Sequence, residues 1–154
     1  MAADVQKTVL NENALTELAG TMASLVGPEQ TLIFLSGDLG AGKSTFVRAF
    51  LQAAGVQGRI KSPTYTLIEP YAVANRRYYH LDLYRLAAPE ELEYLAFRDL
   101  LDRHAVLLIE WPEKGGDELP APDLDVRLTL ADAMHRNIQM VARTPQGERL
   151  INPM

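Results

Sequence analysis

Gly37-Asp38-Leu39-Gly40-Ala41-Gly42-Lys43-Ser44 fits the pattern GxxxxGK[ST]. It lies between the apolar run Thr31-Leu32-Ile33-Phe34-Leu35 and a helix-forming stretch from Ser44 to Ala54, the setting in which that pattern has a physical role. Backbone N–H groups of such a loop turn inward as an anion nest. The helix that follows aims the positive end of its dipole at the same point, and the lysine adds a point charge. The expected ligand is a nucleoside triphosphate. Asp38, Leu39, Gly40, Ala41, Gly42, Lys43, Ser44 and Thr45 are therefore candidate nucleotide contacts. Lys43 is expected on the β and γ phosphates, and the Ser44 hydroxyl is available to Mg²⁺, which prefers octahedral oxygen coordination.

Around the loop, strands and helices alternate. Leu15, Leu18, Ala19, Met22 and Leu25 recur at helical spacing, which predicts a first helix between Leu10 and Leu25 with Asn11 or Asn13 as its cap. Residues 31 to 36 read as a buried strand and 55 to 63 as a Gly-rich, basic connection. Thr64 to Ile68 and Arg77 to Leu83, either side of Ala74-Asn75, read as a hairpin. Pro89-Glu90-Glu91 opens a helix that is expected to run to about Arg103. Ala105 to Glu110 reads as a buried strand, Leu124 to Leu130 and Asn137 to Arg143 as an antiparallel pair, and the last ten residues carry no clear signal. The expected fold is a three-layer α/β, P-loop NTPase-like fold with a mixed, mainly central sheet and an antiparallel C-terminal addition, formed by one domain over residues 1–154.

Magnesium on a nucleotide needs acidic help, and two apolar strands end in carboxylates. Glu110 closes Ala105-Val106-Leu107-Leu108-Ile109, the form of a Walker B element, and Asp82 closes the run from Arg77. If these strands lie parallel to the one before the loop, all three features meet at one edge of the sheet. His80, Asp82 and Tyr84 share one face of their strand by the period-two rule. His80 is then either a hydrogen-bonded structural residue or a catalytic one, and Arg85 either contacts the γ-phosphate or pairs with Glu91. Ser62-Pro63-Thr64 stands where nucleotide switches place a hydroxyl that senses the γ-phosphate, so Thr64 joins Lys43, Asp82 and Glu110 as a catalytic candidate. Trp111 is either an anchor of the sheet edge or a sensor and partner contact.

The chain has 154 residues, no cysteine and a formal charge of −5. No cysteine means no disulfide, thiolate metal site or cysteine nucleophile, which suits a reducing compartment. The first twenty residues carry Asp4, Lys7, Glu12 and Glu17, so no signal peptide is read, and no apolar run approaches the roughly 20 residues of a membrane span. A cytoplasmic protein with no membrane contact is expected. The negative charge disfavours broad binding to nucleic acid, leaving only a local patch such as Arg76-Arg77, so any RNA connection is expected to be indirect.

Taken together, GDLGAGKST (37 to 45), KSPTYTLIEPY (61 to 71), YHLDLYRL (79 to 86), PEELEYLAFRD (89 to 99) and IEWPEKG (109 to 115) resemble the TsaE (YjeE) family, the ATPases of bacterial tRNA threonylcarbamoyladenosine biosynthesis. The resemblance implies ATP with Mg²⁺ and metal contacts from Ser44, Asp82 and Glu110. It implies weak hydrolysis unless the TsaB and TsaD partners are present, TsaD being the enzyme that transfers the threonylcarbamoyl group to adenosine in tRNA. It also brings the start of the first helix, Asn11 to Asn13, and Arg136 of the final hairpin near the adenine, and makes Glu113 a nucleotide contact. Where the family usually shows Leu-Pro-Asp-Glu, this chain has Leu10-Asn11-Glu12-Asn13; Ser44 replaces the more common Thr and keeps the hydroxyl.

Two other readings compete. A small-molecule P-loop kinase begins with the same strand, loop and helix, but no Arg-rich lid stands between Gly115 and Asp125. A nucleotide-gated binding module without useful turnover would use the same loop, and no feature of the sequence separates ATP as switch from ATP as fuel. A GTPase is disfavoured because no Asn-Lys-x-Asp run is present to read guanine.

Overall fold

The computed structural model describes residues 3–61, 63 and 67–154. Its centre is Thr31–Ser36 (β2), an almost wholly buried run with Ile33 and Leu35 on one face and Leu32 and Phe34 on the other, as a strand covered on both faces requires. Val106–Glu110 (β5) and Leu124–Leu130 (β6) pair with it in parallel, one on each side, and Arg76–Asp82 (β4) pairs in parallel with β5. Ile68–Val73 (β3) adds antiparallel to β4 through the turn at Ala74-Asn75, and Arg136–Ala142 (β7) adds antiparallel to β6. Ala3–Leu10 (β1) completes a seven-stranded sheet of order β1-β7-β6-β2-β5-β4-β3 by pairing antiparallel with β7. The parallel register sets Glu110 opposite both Leu35 and Asp82. The condition attached to the sequence reading is met: the carboxyl ends of β2, β5 and β4 form one edge.

One face of the sheet is covered by Glu12–Ser24 (α1), Lys43–Ala54 (α2) and Pro145–Ile151 (α4). Leu15, Leu18 and Met22 of α1 and Phe46, Val47, Phe50 and Leu51 of α2 close over Ile33, Leu35, Val106, Leu108, Val126 and Met140. Each such side chain stabilises the fold by roughly 1.5–3 kcal/mol relative to exposure. Asn11, not Asn13, caps α1, its Oδ1 accepting from Ala14 N at 2.9 Å.

The opposite layer is thin. Leu32, Tyr79, Leu81, Leu107 and Ile109 are covered by Leu83, just past the end of β4, and by Leu92 and Phe97, which are carried by the single turn Glu91–Tyr94 (α3) and a 3-10 turn over Phe97–Leu100. The helix expected to reach Arg103 therefore stops early, because Ala96 adopts φ 54 and ψ 41, left-handed backbone that no α-helix accommodates.

Two elements lie outside the sequence reading. β1 is an edge strand whose partner comes from the far end of the chain. α4 begins at Pro145 and is capped by Thr144, whose hydroxyl accepts from Gly147 N. Asp123 accepts from both Leu32 N and the Thr144 hydroxyl, joining β2 to this cap. Arg76 is half-buried and donates to the carbonyls of His104, Gly27 and Glu29, so the suspected Arg76-Arg77 patch loses its first member to the fold. Among the described residues no helix is long and apolar enough to cross a membrane.

Candidate functional site

Between β2 and α2 the chain turns through the phosphate loop, and two glycines make the turn possible. Gly37 has φ +142, and a Cβ there would meet the Leu128 carbonyl oxygen at 2.2 Å; Gly42 has φ +109, with Arg136 Nε 2.9 Å from where a Cβ would stand. Gly42 is the N-cap of α2 and no side chain caps that end, nor does its first turn carry an acidic residue. The first N–H groups of a twelve-residue helix thus face the loop without an anionic neighbour of their own.

Lys43 is buried and folds back into the loop, donating to the carbonyls of Gly37 and, at 3.1 Å, Asp38. Burial pushes its ammonium below the usual lysine value, against the opposing pull of Glu110, Asp82, Glu113 and Asp38. Its Nζ lies 4.4 Å from the centroid of the Trp111 ring, which itself packs on Tyr84 at 5.0 Å between centroids. Trp111 has φ 56 and ψ 49, a left-handed conformation for a bulky residue directly at the end of β5. Such strain persists where the surroundings over-determine it, and it clusters at functional sites.

Across the loop, the Ser44 hydroxyl donates to Glu110 at 3.2 Å from Oε2 and 3.4 Å from Oε1. Glu110 is buried and its Oε2 also meets His80 Nε2 at 2.5 Å. Asp82 is half-buried; burial raises its carboxyl above the usual value, although the Tyr84 N–H donates to Oδ1 at 3.0 Å and opposes this. A cavity of about 210 Å³ brings together Leu39, Gly40, Gly42, Lys43, Ser44, Thr45, Asp82, Glu110, Trp111 and Arg136. A second, of about 350 Å³, is lined by Asn11, Glu12, Asn13, Ala133, Met134 and again Arg136, whose Nε donates to the Ala41 carbonyl at 3.2 Å. Arg136 therefore joins the two.

Most of the candidates drawn from the sequence converge here. Asp38 contributes its carbonyl and Ala41 is buried behind the loop. Glu113 is exposed and lines neither cavity, although its charge reaches Lys43. Arg85 lines a third cavity with Leu39, Pro63, Asp82 and Tyr84. Thr64 and Ser62 lie outside the described residues. The pairing of His80 with Glu110 was not legible, since only the β4–β5 register reveals that they meet.

The site's donors are oxygens: a hydroxyl and two carboxylates, with no thiolate. Among the described residues no group of three or more acidic or histidine side chains could enclose a metal alone. That set fits magnesium carried on a nucleotide, which takes one or two carboxylates and leaves the remaining positions to phosphate and water.

Comparison with known proteins gives one consistent result. Residues 9–138 match the family described as "Threonylcarbamoyl adenosine biosynthesis protein TsaE". The chain is 49% identical over 121 residues to a tRNA threonylcarbamoyladenosine biosynthesis protein TsaE of Haemophilus influenzae, covering 79% of this chain and 76% of that one. It is 32% identical over 133 residues to the Bacillus subtilis protein of the same description, covering 86% and 82%. The crystal structure of Bacillus subtilis YdiB superposes with a TM-score of 0.77 at 26% identity, over 99% of this chain and 95% of that one.

Proposed function

The chain belongs to the TsaE family of threonylcarbamoyl adenosine biosynthesis proteins, and on that premise we propose that it is the weak, magnesium-dependent ATPase of tRNA threonylcarbamoyladenosine formation. It acts in the cytoplasm as a single nucleotide-binding domain, an accessory to TsaB and TsaD proteins, with tRNA engaged only through them. The observation that carries this reading is one cavity shared by the uncapped start of α2, Lys43, Ser44 and the carboxylates ending β4 and β5.

The α2 N–H groups and Lys43 hold the phosphates. For this Lys43 leaves the carbonyls of Gly37 and Asp38, and the phosphate charge offsets what burial takes from its ammonium. Ser44, Glu110 and Asp82 would hold the magnesium, which supplies charge neutralisation at the phosphate oxygens and a shell of oriented water. Trp111 and Tyr84 wall the site on the β5 side and limit water. Asn13 and Arg136 face the cavity that takes the base, and Thr64 senses the γ-phosphate. TsaB and TsaD dock over this edge, against residues 55–66 and Trp111. A group supplied in trans raises phosphoryl-transfer rates by roughly 10³ to 10⁵.

Calorimetry with ATP and GTP tests the nucleotide assignment. ATP is expected to bind in preference to GTP, and Lys43→Ala to weaken ATP roughly 10 to 100-fold by removing a charged hydrogen-bond donor. Wild-type affinity in that variant removes the phosphate-loop reading. Reconstituted threonylcarbamoyl transfer to tRNA, with and without this chain over many turnovers, tests the rest. Phosphate release unchanged by TsaB and TsaD sinks the accessory role.

A further inference from the structure

Among the described residues His80 is the one buried histidine, 2% exposed. Its Nε2 lies 2.5 Å from Glu110 Oε2, while its Nδ1 is buried with no hydrogen-bond partner among the described residues. A carboxylate oxygen accepts, so this contact places a proton on Nε2, which the ring donates to Glu110. Ser44, Arg48, Ile60 and Lys61 wall the slot beside the ring. The β4–β5 ladder holds the spacing, with His80 opposite Leu108 and Asp82 opposite Glu110. Oε2 of Glu110 thus takes two donors, His80 at 2.5 Å and Ser44 at 3.2 Å, whereas Oε1 has only the longer Ser44 contact at 3.4 Å.

We propose that His80 is a positioning residue: its Nε2–H holds Oε2 and fixes the plane of the Glu110 carboxylate, leaving Oε1 for the shell of a nucleotide-bound magnesium. This rests on the magnesium nucleotide reading above and adds what selects the working orientation of Glu110. A glutamate on a strand end has three side-chain torsions to restrict when it takes up a metal. The buried ring removes that freedom in advance, as partners behind metal ligands generally do. Ser44, drawn away by the metal, would leave His80 as the remaining anchor.

Three substitutions separate positioning from packing. In His80→Gln the amide nitrogen falls near the place of Nε2, in His80→Asn near that of Nδ1, and His80→Leu fills the space without a donor. ATP binding is measured by calorimetry in the absence of divalent metal and then across a Mg²⁺ series, with Mg²⁺-dependent phosphate release followed separately. The Asn and Leu variants are expected to need about 10-fold more Mg²⁺ for the same gain in affinity, with metal-free ATP affinity unchanged, and Gln to restore most of the loss. Equal defects in Gln and Asn, or a wild-type Mg²⁺ requirement in all three, overturn the proposal. Should the Leu variant not fold, the Gln and Asn variants decide alone. A wild-type requirement in His80→Asn beside a raised one in Glu110→Ala overturns this inference only; absence of Mg²⁺-dependent nucleotide binding in the wild type overturns the nucleotide reading and this one with it.

Discussion

The ammonium of Lys43 rests 4.4 Å from the centre of the Trp111 ring. Two features of the chain thereby become one device, because the lysine proposed to meet phosphate is also the residue that polarises the indole. A cation over an aromatic face within about 6 Å is held by the ring quadrupole, by roughly 0.5–2 kcal/mol. Phosphate competes for the same charge.

Trp111 is the single tryptophan of the chain, so its emission reports Lys43 directly. Titration with ATP and magnesium is expected to shift the emission, and Lys43→Ala to abolish the shift even at nucleotide concentrations that fill the site. An unchanged spectrum in the wild type, with binding verified by calorimetry, would mean that Lys43 stays on the ring when phosphate arrives.

Asp82 and Glu110 stand at adjacent register positions, one at each strand end, while the anion nest is made by backbone. Removing either carboxylate should therefore impair Mg²⁺-dependent phosphate release more than nucleotide binding. Asp82→Ala and Glu110→Ala are each expected to lower release roughly 10 to 100-fold, with metal-free ATP affinity near that of the wild type. Full activity in both variants would show that neither carboxylate serves the metal.

What could be read from the sequence follows from how local each determinant is. The phosphate loop is legible because its backbone needs glycine where φ is positive and a lysine at fixed spacing, as at Gly37, Gly42 and Lys43. Asp82 and Glu110 are legible because a carboxylate ending an apolar strand leaves few other readings. β1 is not, since its pairing with β7 depends on the opposite end of the chain. Ala96 gives no warning of its left-handed backbone, which a glycine would have announced. α4 did carry a signal, Thr144 followed by Pro145, a cap and a first-turn proline. His80 and Glu110 are thirty positions apart, and only the register of a parallel ladder brings one to the other.

Burial raises the Asp82 carboxyl above its usual 3.8, and the consequence for stability has a definite sign. Between the unfolded value and the raised one, the folded state binds more protons than the unfolded chain, so stability falls as pH rises through that window and the full penalty remains above it. Asp82→Asn keeps an acceptor for the Tyr84 N–H and removes the charge. Without nucleotide it is expected to melt above the wild type at neutral pH, with the gain vanishing once the wild-type carboxyl is protonated below 3.8. The same variant is expected to lose Mg²⁺-dependent phosphate release, a trade of function against stability. A lower melting temperature at neutral pH would mean that the attraction of Lys43 outweighs burial.

Gly37 and Gly42 both require positive φ, yet what surrounds them differs in kind. A Cβ at Gly37 meets the Leu128 carbonyl oxygen at 2.2 Å, which is backbone of β6 and cannot turn aside; a Cβ at Gly42 meets Arg136 Nε at 2.9 Å and Leu15 Cδ2 at 3.0 Å, both side-chain atoms that can shift. Each alanine bears the left-handed penalty of roughly 1–2 kcal/mol. Gly37→Ala must in addition displace β6, so it is expected to lower the melting temperature well beyond Gly42→Ala, in chemical denaturation as in heating. Gly42→Ala instead moves Arg136, the residue shared by the two cavities, so it should fold and bind ATP poorly. Comparing unfolding midpoints with ATP affinities for the pair decides it: equal destabilisation, or intact ATP affinity in Gly42→Ala, would show that the loop relaxes in a way this geometry does not allow.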